Sequence, residues 1–195
     1  MSNALVWCDV ETGGLNGRLP NGHLGMEYYP ILEIVIIVTD EDLVEIGMPL
    51  RVVIHQPESE IKKCSEWALK THTESGLLTE VRVAVCTLAA AEQLILHHLF
   101  CNLGIDSYDR KAKTGGILCG SSIMFDRTFL MCQMPNLHEY LHYRQLDVSA
   151  LNLAIRMFNP ELAIAGTEFK KYSHEALVDI RESIEELRIY RGAMK

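Results

Sequence analysis

Two carboxylates near the start of the chain, Asp9 and Glu11, have a spacing that suits a metal site. They follow the apolar run 4–8, which predicts a buried β-strand, and precede the glycine pair Gly13-Gly14, which predicts a turn. Side chains two positions apart on a strand point to one face, so the two charges repel each other unless a cation lies between them. A hard divalent ion such as Mg²⁺ or Mn²⁺ takes oxygen ligands of this kind. A solvated strand end that leads into a turn also explains the pair, and the pair alone leaves both interpretations open.

Three further residues of possible chemical importance lie more than a hundred positions downstream. Asp126 begins a predicted helix, where an aspartate also complements the helix dipole without any catalytic role. His174 opens a second predicted helix, and Asp179 follows five residues later. On a regular helix these two side chains would point about 140° apart, so they cannot simply be two ligands on one face. A workable arrangement places Asp179 within the helix and His174 on its less regular first turn.

The elements that must position these residues indicate an α/β fold. Apolar, β-branched runs at 4–8, 31–38 and 51–55 are separated by short turns and predict an antiparallel meander. Two later strands are predicted at 116–122 and 143–148, and helices at 58–72, 87–102, 150–158 and 173–192, with a further helix that starts at 126. Interleaved helices and strands of this kind predict a mixed five-stranded sheet with helices packed on both faces.

Two side chains carry more than one interpretation. Glu33 interrupts the strand 31–38 with a charge. Its carboxylate either binds a backbone donor or solvent, or lies beside Asp9 and Glu11 and positions them without binding the metal. Trp67 lies off the apolar stripe of its helix and is either a core residue or a surface on which a nucleobase stacks. Residues 16–30 predict a long surface loop beside the acids, and residues 161–171 predict an irregular stretch.

Composition limits the class of protein. A chain of 195 residues with 48% apolar residues predicts one domain, 1–195. The net charge of -8 disfavours tight binding to long nucleic acids, although a short substrate remains compatible with it. Six cysteines without a CxxC pair indicate a reducing compartment and argue against a zinc site.

No apolar run has the length of a membrane span, so no membrane partner is expected. We expect a cytoplasmic protein, or a mitochondrial one if a targeting segment has been removed.

Three ordered segments, DVETGGL (9–15), SIMFDRTFL (122–130) and HEALVDI (174–180), resemble the exonuclease motifs of the DEDDh 3′-5′ exonucleases, which have a ribonuclease H-like fold. Within that superfamily the chain is most similar to the oligoribonucleases. Supporting segments are ILEIVIIVTD, VIHQP, EWALKTH, LCGSSI, HYRQLDVSAL and FKKYSHEALVDIRESIEELRIYR. The loop 16–30 looks longer than the family's, and Gly13, Ser121 and Val178 depart from its usual residues.

The resemblance implies roles for individual residues. Two divalent metal ions, Mg²⁺ or Mn²⁺, would be held by four carboxylates, those of Asp9, Glu11, Asp126 and Asp179. His174 would act as the general base. The implied substrate-binding residues are Leu15 as a wedge between bases, Trp67 as a stacking surface, His72 as a further contact, and Ser122, Tyr143, Arg144 and Ser149 around the 5′-phosphate. The region of Tyr143 and Arg144 would also lie at the interface of a homodimer.

The resulting hypothesis is a 3′-5′ exoribonuclease that hydrolyses very short single-stranded RNA, down to dinucleotides, to nucleoside 5′-monophosphates. One alternative is a DEDDh exonuclease that trims longer RNA or DNA ends; the acidic charge and the arginine at position 144 argue against it. The other is a nucleic-acid-binding module without catalysis. Loss of one of the five motif residues would favour that module, and all five are present.

Overall fold

A computed structural model describes residues 4–171 and 175–193. At its centre is a mixed five-stranded sheet in the order β3-β2-β1-β4-β5. The strands are β1 (Leu5–Thr12), β2 (Ile31–Thr39), β3 (Leu50–Val53), β4 (Ile117–Gly120) and β5 (Gln145–Asp147). β2 runs antiparallel to both β1 and β3, whereas β4 runs parallel to β1 and β5 parallel to β4. The predicted mixed five-stranded sheet is thereby confirmed.

The helices of the described ranges are α1 (Gly25–Tyr28), α2 (Glu58–Ile61), α3 (Glu66–Glu74), α4 (Leu77–Val83), α5 (Leu88–His97), α6 (Met124–Gln133), α7 (Pro135–Tyr140), α8 (Val148–Phe158), α9 (Pro160–Ala165) and α10 (Ala176–Ala193). A π-helical turn, His98–Asn102, extends α5. Thr87, the first residue of the helix predicted over 87–102, caps α5 by accepting a hydrogen bond from the amide of Ala90.

The central strands separate two apolar layers. All nine residues of β2 are buried, as expected for a β-branched strand covered on both faces. Along β1 the side chains alternate: Val6 and Val10 pack into a cluster with residues of α5 and α6, while Trp7 packs with Ile180 and Ile184 of α10. By the same alternation, the acids at positions 9 and 11 lie on the α10 face of the sheet.

The predicted helices differ from the structure in several details. The segment 58–72 is two helices rather than one: α2 ends at Ile61, and α3 begins after Ser65, which caps it and donates its amide to the carbonyl of Gly13 at 2.7 Å. α4 was not predicted. The segment 161–171 was predicted to be irregular, but it contains most of α9, which Asn159 caps. The helix predicted over 173–192 corresponds to α10, which continues past Gly192 to Ala193, and residue 173 falls outside the described residues.

All six cysteines are free thiols. Within the described ranges, no single helix is long and apolar enough to cross a membrane; α4 and the 88–102 helix together meet the length and composition criteria but are bent by 97°.

Candidate active site

β1 carries the first two acids of the site. Asp9 and Glu11 are partly buried and lie opposite Val35 and Glu33 of β2. The ladder shifts register between Glu11 and Thr12, where β1 ends. Because the acids are two positions apart, both carboxylates project from the same face, as predicted.

α6 brings the third acid to the same strand from the other side of the sheet. Asp126 is only 4% exposed, and its Oδ1 accepts a hydrogen bond from the amide of Val10 at 2.9 Å. The parallel pairing of β4 with β1 extends only to Cys119 opposite Trp7. Beyond that point no residue of β4 pairs with β1. The amide of Val10 is therefore free to donate to a side chain, and it donates to the carboxylate of Asp126.

α10 supplies the fourth acid, Asp179, in its first turn. This helix packs against β1 and β2, and the charge of Asp179 raises the pKa of both acids of β1. Three separate elements thus bring four carboxylates to one end of β1. His174 lies outside the described residues, so its role as general base stays a prediction.

Three of the four acids have raised pKa values, and the charge of the fourth, Asp179, contributes to two of these shifts. Burial, followed by the charges of Asp179 and Glu33, raises the pKa of Asp9 to about 7. Burial and the neighbouring charges, Asp9 first, raise the pKa of Glu11 to about 8. For Asp126, burial and then the charge of Asp9 raise the pKa well above its ordinary value. Carboxyl groups in this arrangement resist ionisation unless positive charge compensates them.

The donor set fits hard divalent cations. Within the described ranges, no three acidic, histidine or cysteine side chains already form a ready-made metal site. However, these carboxylates offer only oxygen ligands, and a divalent cation among them would stabilise the ionised form that burial and the neighbouring charges disfavour.

Glu33 has a partner that neither sequence interpretation anticipated. Its buried carboxylate lies 2.5 Å from Nη2 of Arg51 on β3, and Arg51 also binds Glu80 of α4 at 2.8 Å. The charge of Glu33 nevertheless contributes to the raised pKa of both acids on β1. Alternation along β3 could have suggested this pair, because Arg51 is a charged residue within an apolar strand.

His72 is buried rather than displayed at the surface. Its Nε2 lies 3.0 Å from the carbonyl oxygen of Thr12 and 3.9 Å from Oε2 of Glu11. The ring therefore supports the end of β1 beside the acids. Its predicted substrate contact stays a prediction.

Leu15 and Trp67 share an open cleft of about 630 Å³ next to the acids' strand. Both side chains are strongly exposed, 71% and 57%, and because they line one cleft they form a contiguous apolar patch of the kind that marks a binding site. The cleft is completed by Gly17, Arg18, Leu19, Tyr29 and Ser65. An apolar cleft with an exposed indole is suited to planar bases.

Sequence reasoning treated the 16–30 segment as a loop only and missed its contribution to this cleft. The segment is an ordered excursion that includes α1. Gly25 passes so close to Leu15 that a Cβ atom there would overlap the Leu15 carbonyl. Gln133 of α6 donates to the carbonyls of Met26 and Tyr29 at 2.8 Å each. The glycines that follow Leu15 were the available signal.

The remaining predicted substrate residues form two groups near β5. Ser122 and Ser149 are neighbours, with 3.0 Å between their hydroxyl oxygens. Tyr143 and Arg144 are exposed, and the guanidinium of Arg144 lies 5.5 Å from the centre of the Tyr143 ring. The buried guanidinium of Arg127 donates to the carbonyl of His142 at 2.9 Å and so holds the backbone beside Tyr143.

Comparison with known proteins places the chain among nucleases. A sequence model of the RNase_T exonuclease family matches residues 6–187. An oligoribonuclease of Haemophilus ducreyi is 40% identical over 96% of this chain and 92% of its own length. An oligoribonuclease of Chromobacterium violaceum is 37% identical over 97% of this chain and 94% of its own.

Solved structures of larger exonucleases share the fold. E. coli exonuclease I in complex with a dT13 oligonucleotide superposes with a TM-score of 0.68 at 16% identity; the match covers 97% of this chain and 41% of that one. Exonuclease I of Methylocaldum szegediense gives 0.68 at 19% identity, over 97% and 40%. The chain therefore spans about two fifths of these neighbours, and the likeness confirms the ribonuclease H-like fold.

Proposed function

This chain belongs to the oligoribonucleases of the RNase_T exonuclease family, and we propose that it removes nucleotides one at a time from the 3′ end of very short RNA. Dinucleotides are the shortest substrates, and the products are nucleoside 5′-monophosphates. One observation carries the proposal: four carboxylates from β1, α6 and α10 meet beside a cleft in which Leu15 and Trp67 are exposed.

Asp9, Glu11, Asp126 and Asp179 would hold two divalent metal ions, Mg²⁺ or Mn²⁺. When bound, such a pair supplies an activated water and stabilises charge on the entering and leaving oxygens of the phosphodiester. The chain contributes the four negative charges, and the hydrogen bond from Val10 to Asp126 fixes one of them against β1. Burial and the neighbouring charges raise the pKa of Glu11, and bound cations would offset both effects by stabilising its ionised form.

His174 is proposed as the general base that takes a proton from the attacking water. A histidine suits this step because its unperturbed pKa lies near the working pH.

The cleft would hold the two 3′-terminal bases. Leu15 would separate them and Trp67 would stack on one of them, since a base presents an aromatic face whatever its identity. His72 would contribute by holding the end of β1 in place through its contact with the carbonyl oxygen of Thr12.

The other end of the substrate would be bound by Ser122, Ser149, Tyr143 and Arg144. Arginine is always charged and can make two parallel hydrogen bonds to a phosphate. A 5′-phosphate held in this way would leave no room for a longer chain, so short RNA would be preferred. We also propose a homodimer whose interface includes Tyr143, and a reducing compartment, the cytoplasm or the mitochondrion, in keeping with the six free thiols.

The test is a comparison of substrate lengths. Purified protein with Mg²⁺ or Mn²⁺ should convert a 5′-labelled diribonucleotide to mononucleotides faster than it shortens a 20-nucleotide RNA, and EDTA should stop both reactions. Asp179→Asn should remove most of the activity. Glu161→Gln, which removes one negative charge at an exposed position of α9, should not.

Each alternative has its own outcome. Equal rates on both lengths would contradict the preference for short RNA and favour an exonuclease that trims longer ends. Binding of RNA without turnover, with metal present, would favour a non-catalytic module. Sedimentation equilibrium tests the dimer, and a monomer at micromolar concentration would contradict it.

A further inference from the structure

A single carboxylate oxygen organises the turn between β4 and α6. Asp147 ends β5 and caps α8, and its Oδ1 accepts hydrogen bonds from the amides of Ser149 and Ala150 at 3.0 and 3.2 Å. The same oxygen accepts from the Ser149 hydroxyl at 2.7 Å and from the amide of Ser122 at 3.0 Å. The first three of these bonds lie within the cap of α8, whereas the bond to Ser122 connects Asp147 to the turn that follows β4. Ser122 is within reach because Gly120 of β4 lies opposite Asp147.

The residue at the far end of that bond has a strained backbone. Ser122 has φ +54°, in the left-handed region that disfavours any residue with a Cβ atom. Among the described non-glycine residues, only Leu43 and Lys113 share a positive φ. Strain of this kind persists where surrounding contacts impose it, and it concentrates at functional sites. Here the amide of Ser122 is held by Oδ1 of Asp147 and, at 2.7 Å, by Oγ of Ser149.

The strained turn starts the helix that carries a predicted metal ligand. The carbonyl of Ser122 accepts from the amide of Phe125 at 2.8 Å, which forms the turn before α6. Asp126 is the next residue, and it must meet the amide of Val10 on β1. The direction in which the chain leaves Ser122 therefore sets where the carboxylate of Asp126 arrives.

We propose that Asp147 is a positioning residue for the active site: it holds Ser122 in its left-handed conformation and thereby aims α6 and Asp126 at the end of β1. This inference rests on the proposed function, in which Asp126 binds metal. The role requires an acceptor oxygen that reaches Ser122 and does not require a negative charge. Asparagine at position 147 should therefore preserve the positioning of α6, whereas a shorter side chain should not.

A coupled set of variants tests this role. Serine is a good helix cap but too short to span to Ser122, so Asp147→Ser keeps the start of α8 and removes the bond between the two turns. We expect Asp147→Ser to weaken Mn²⁺ binding, measured by calorimetry without substrate, and to lower kcat on a dinucleotide, each by about 10-fold. Asp147→Asn should remain within about 3-fold of the parent protein on the same scale.

Glycine at the strained position supplies the decisive comparison. Because glycine adopts positive φ without a steric penalty, the loss caused by Asp147→Ser should be largely absent when Ser122→Gly is the background. Lys113→Gly is the matched control, since Lys113 also has positive φ (57°) but lies in the exposed 109–114 turn. In the Lys113→Gly background the full 10-fold loss should remain.

The outcomes separate the two proposals. Equal losses from Asp147→Ser in the parent and Ser122→Gly backgrounds would overturn the positioning role, as would an Asp147→Asn variant as impaired as Asp147→Ser. If the parent protein degrades no RNA, the proposed function fails, while the same comparison of Mn²⁺ affinities still decides whether Asp147 acts through Ser122. Melting temperatures of all variants show that each is folded under the assay conditions.

Discussion

The amide of Val10 and Oδ1 of Asp126 are 2.9 Å apart, although 116 residues separate them in the chain. Val10 stands between Asp9 and Glu11, so this bond fixes the carboxylate of α6 beside the two acids of β1. The site exists because β4 stops pairing with β1 at Cys119 and leaves a strand amide for a side chain.

Asp126→Asn should distinguish the structural role of this hydrogen bond from the role of the carboxylate charge in metal binding. The amide oxygen of asparagine can still accept from Val10, so the fold should be kept, and the metal-free protein should melt no lower, because a buried carboxyl with a raised pKa is removed. Activity on a dinucleotide should fall by at least about 100-fold, since loss of a ligand exceeds the 10- to 100-fold effect of outer contacts. Activity within a few fold of the parent protein would show that Asp126 is not a ligand.

Without metal, the protein should lose stability as pH rises. The pKa values of Asp9 and Glu11 are raised from 3.8 and 4.5 to about 7 and about 8, so the folded state keeps protons that the unfolded chain has already released. Their favourable contribution is complete below about pH 4 and is lost as pH rises to about 8. In EDTA the melting temperature should therefore decrease between pH 5.5 and 8.5.

Mn²⁺ should reverse this trend, because cations bind the deprotonated carboxylates. At about 100 times its dissociation constant it should add about 2.7 kcal/mol, or about 5–10 °C in melting temperature, and more at pH 8 than at pH 6. A melting temperature at pH 8 that Mn²⁺ leaves unchanged would argue against metal binding by these acids.

Removal of the Trp67 side chain should weaken substrate binding more than it slows chemistry. Stacking of one base on an aromatic ring contributes about 1–3 kcal/mol, so Trp67→Ala should raise KM for a dinucleotide about 5- to 150-fold with a smaller effect on kcat. Trp67→Phe keeps a ring and should lose less. Val85→Ala removes another strongly exposed apolar side chain, one outside the cleft, and should leave KM unchanged. An unaltered KM in Trp67→Ala would remove the base-stacking role.

A buried ion pair anchors the segment that leads to α10. Nζ of Lys170 lies 2.5 Å from Oε2 of Glu186, with side chains 7% and 2% exposed, and the hydroxyl of Tyr190 donates to the other carboxylate oxygen at 2.7 Å. Lys170→Met leaves that carboxylate without its cation and should lower the free energy of unfolding by about 3–5 kcal/mol in denaturant titrations.

Two comparisons control for this effect. The double variant Lys170→Met/Glu186→Gln should recover most of the loss, because no buried charge is left unpaired. Arg181→Met, which breaks the more exposed pair with Glu45, should cost less than about 1 kcal/mol. Equal costs for the buried and the exposed pair would contradict the role of burial.

Local patterns were sufficient for much of the fold. β1 and β2 were predicted because β-branched runs in a buried sheet have few alternatives, and α5 because Thr87 precedes a long apolar helix pattern. The prediction failed at 58–72, where α2 ends at Ile61 and α3 begins only after Ser65, whose amide donates to the carbonyl of Gly13, and at α9, which is short and weakly periodic. Contacts between distant segments leave no periodic signal in either one.

The sequence by itself determined which residues could do chemistry: two acids in alternation on one strand, two more acids far downstream, and a tryptophan off the apolar stripe of its helix. It did so because residue type and spacing fix charge, ligand chemistry and the face of a strand. The role of Leu15 came from the resemblance to the exonuclease motifs. Only the tertiary structure decided that Glu33 pairs with Arg51 and that His72 is buried beside Glu11. The same holds for the turn at Ser122, where Asp147 holds the backbone. These relations depend on how strands end and helices pack, and a hydrogen bond between residues tens of positions apart exists only once both elements are in place.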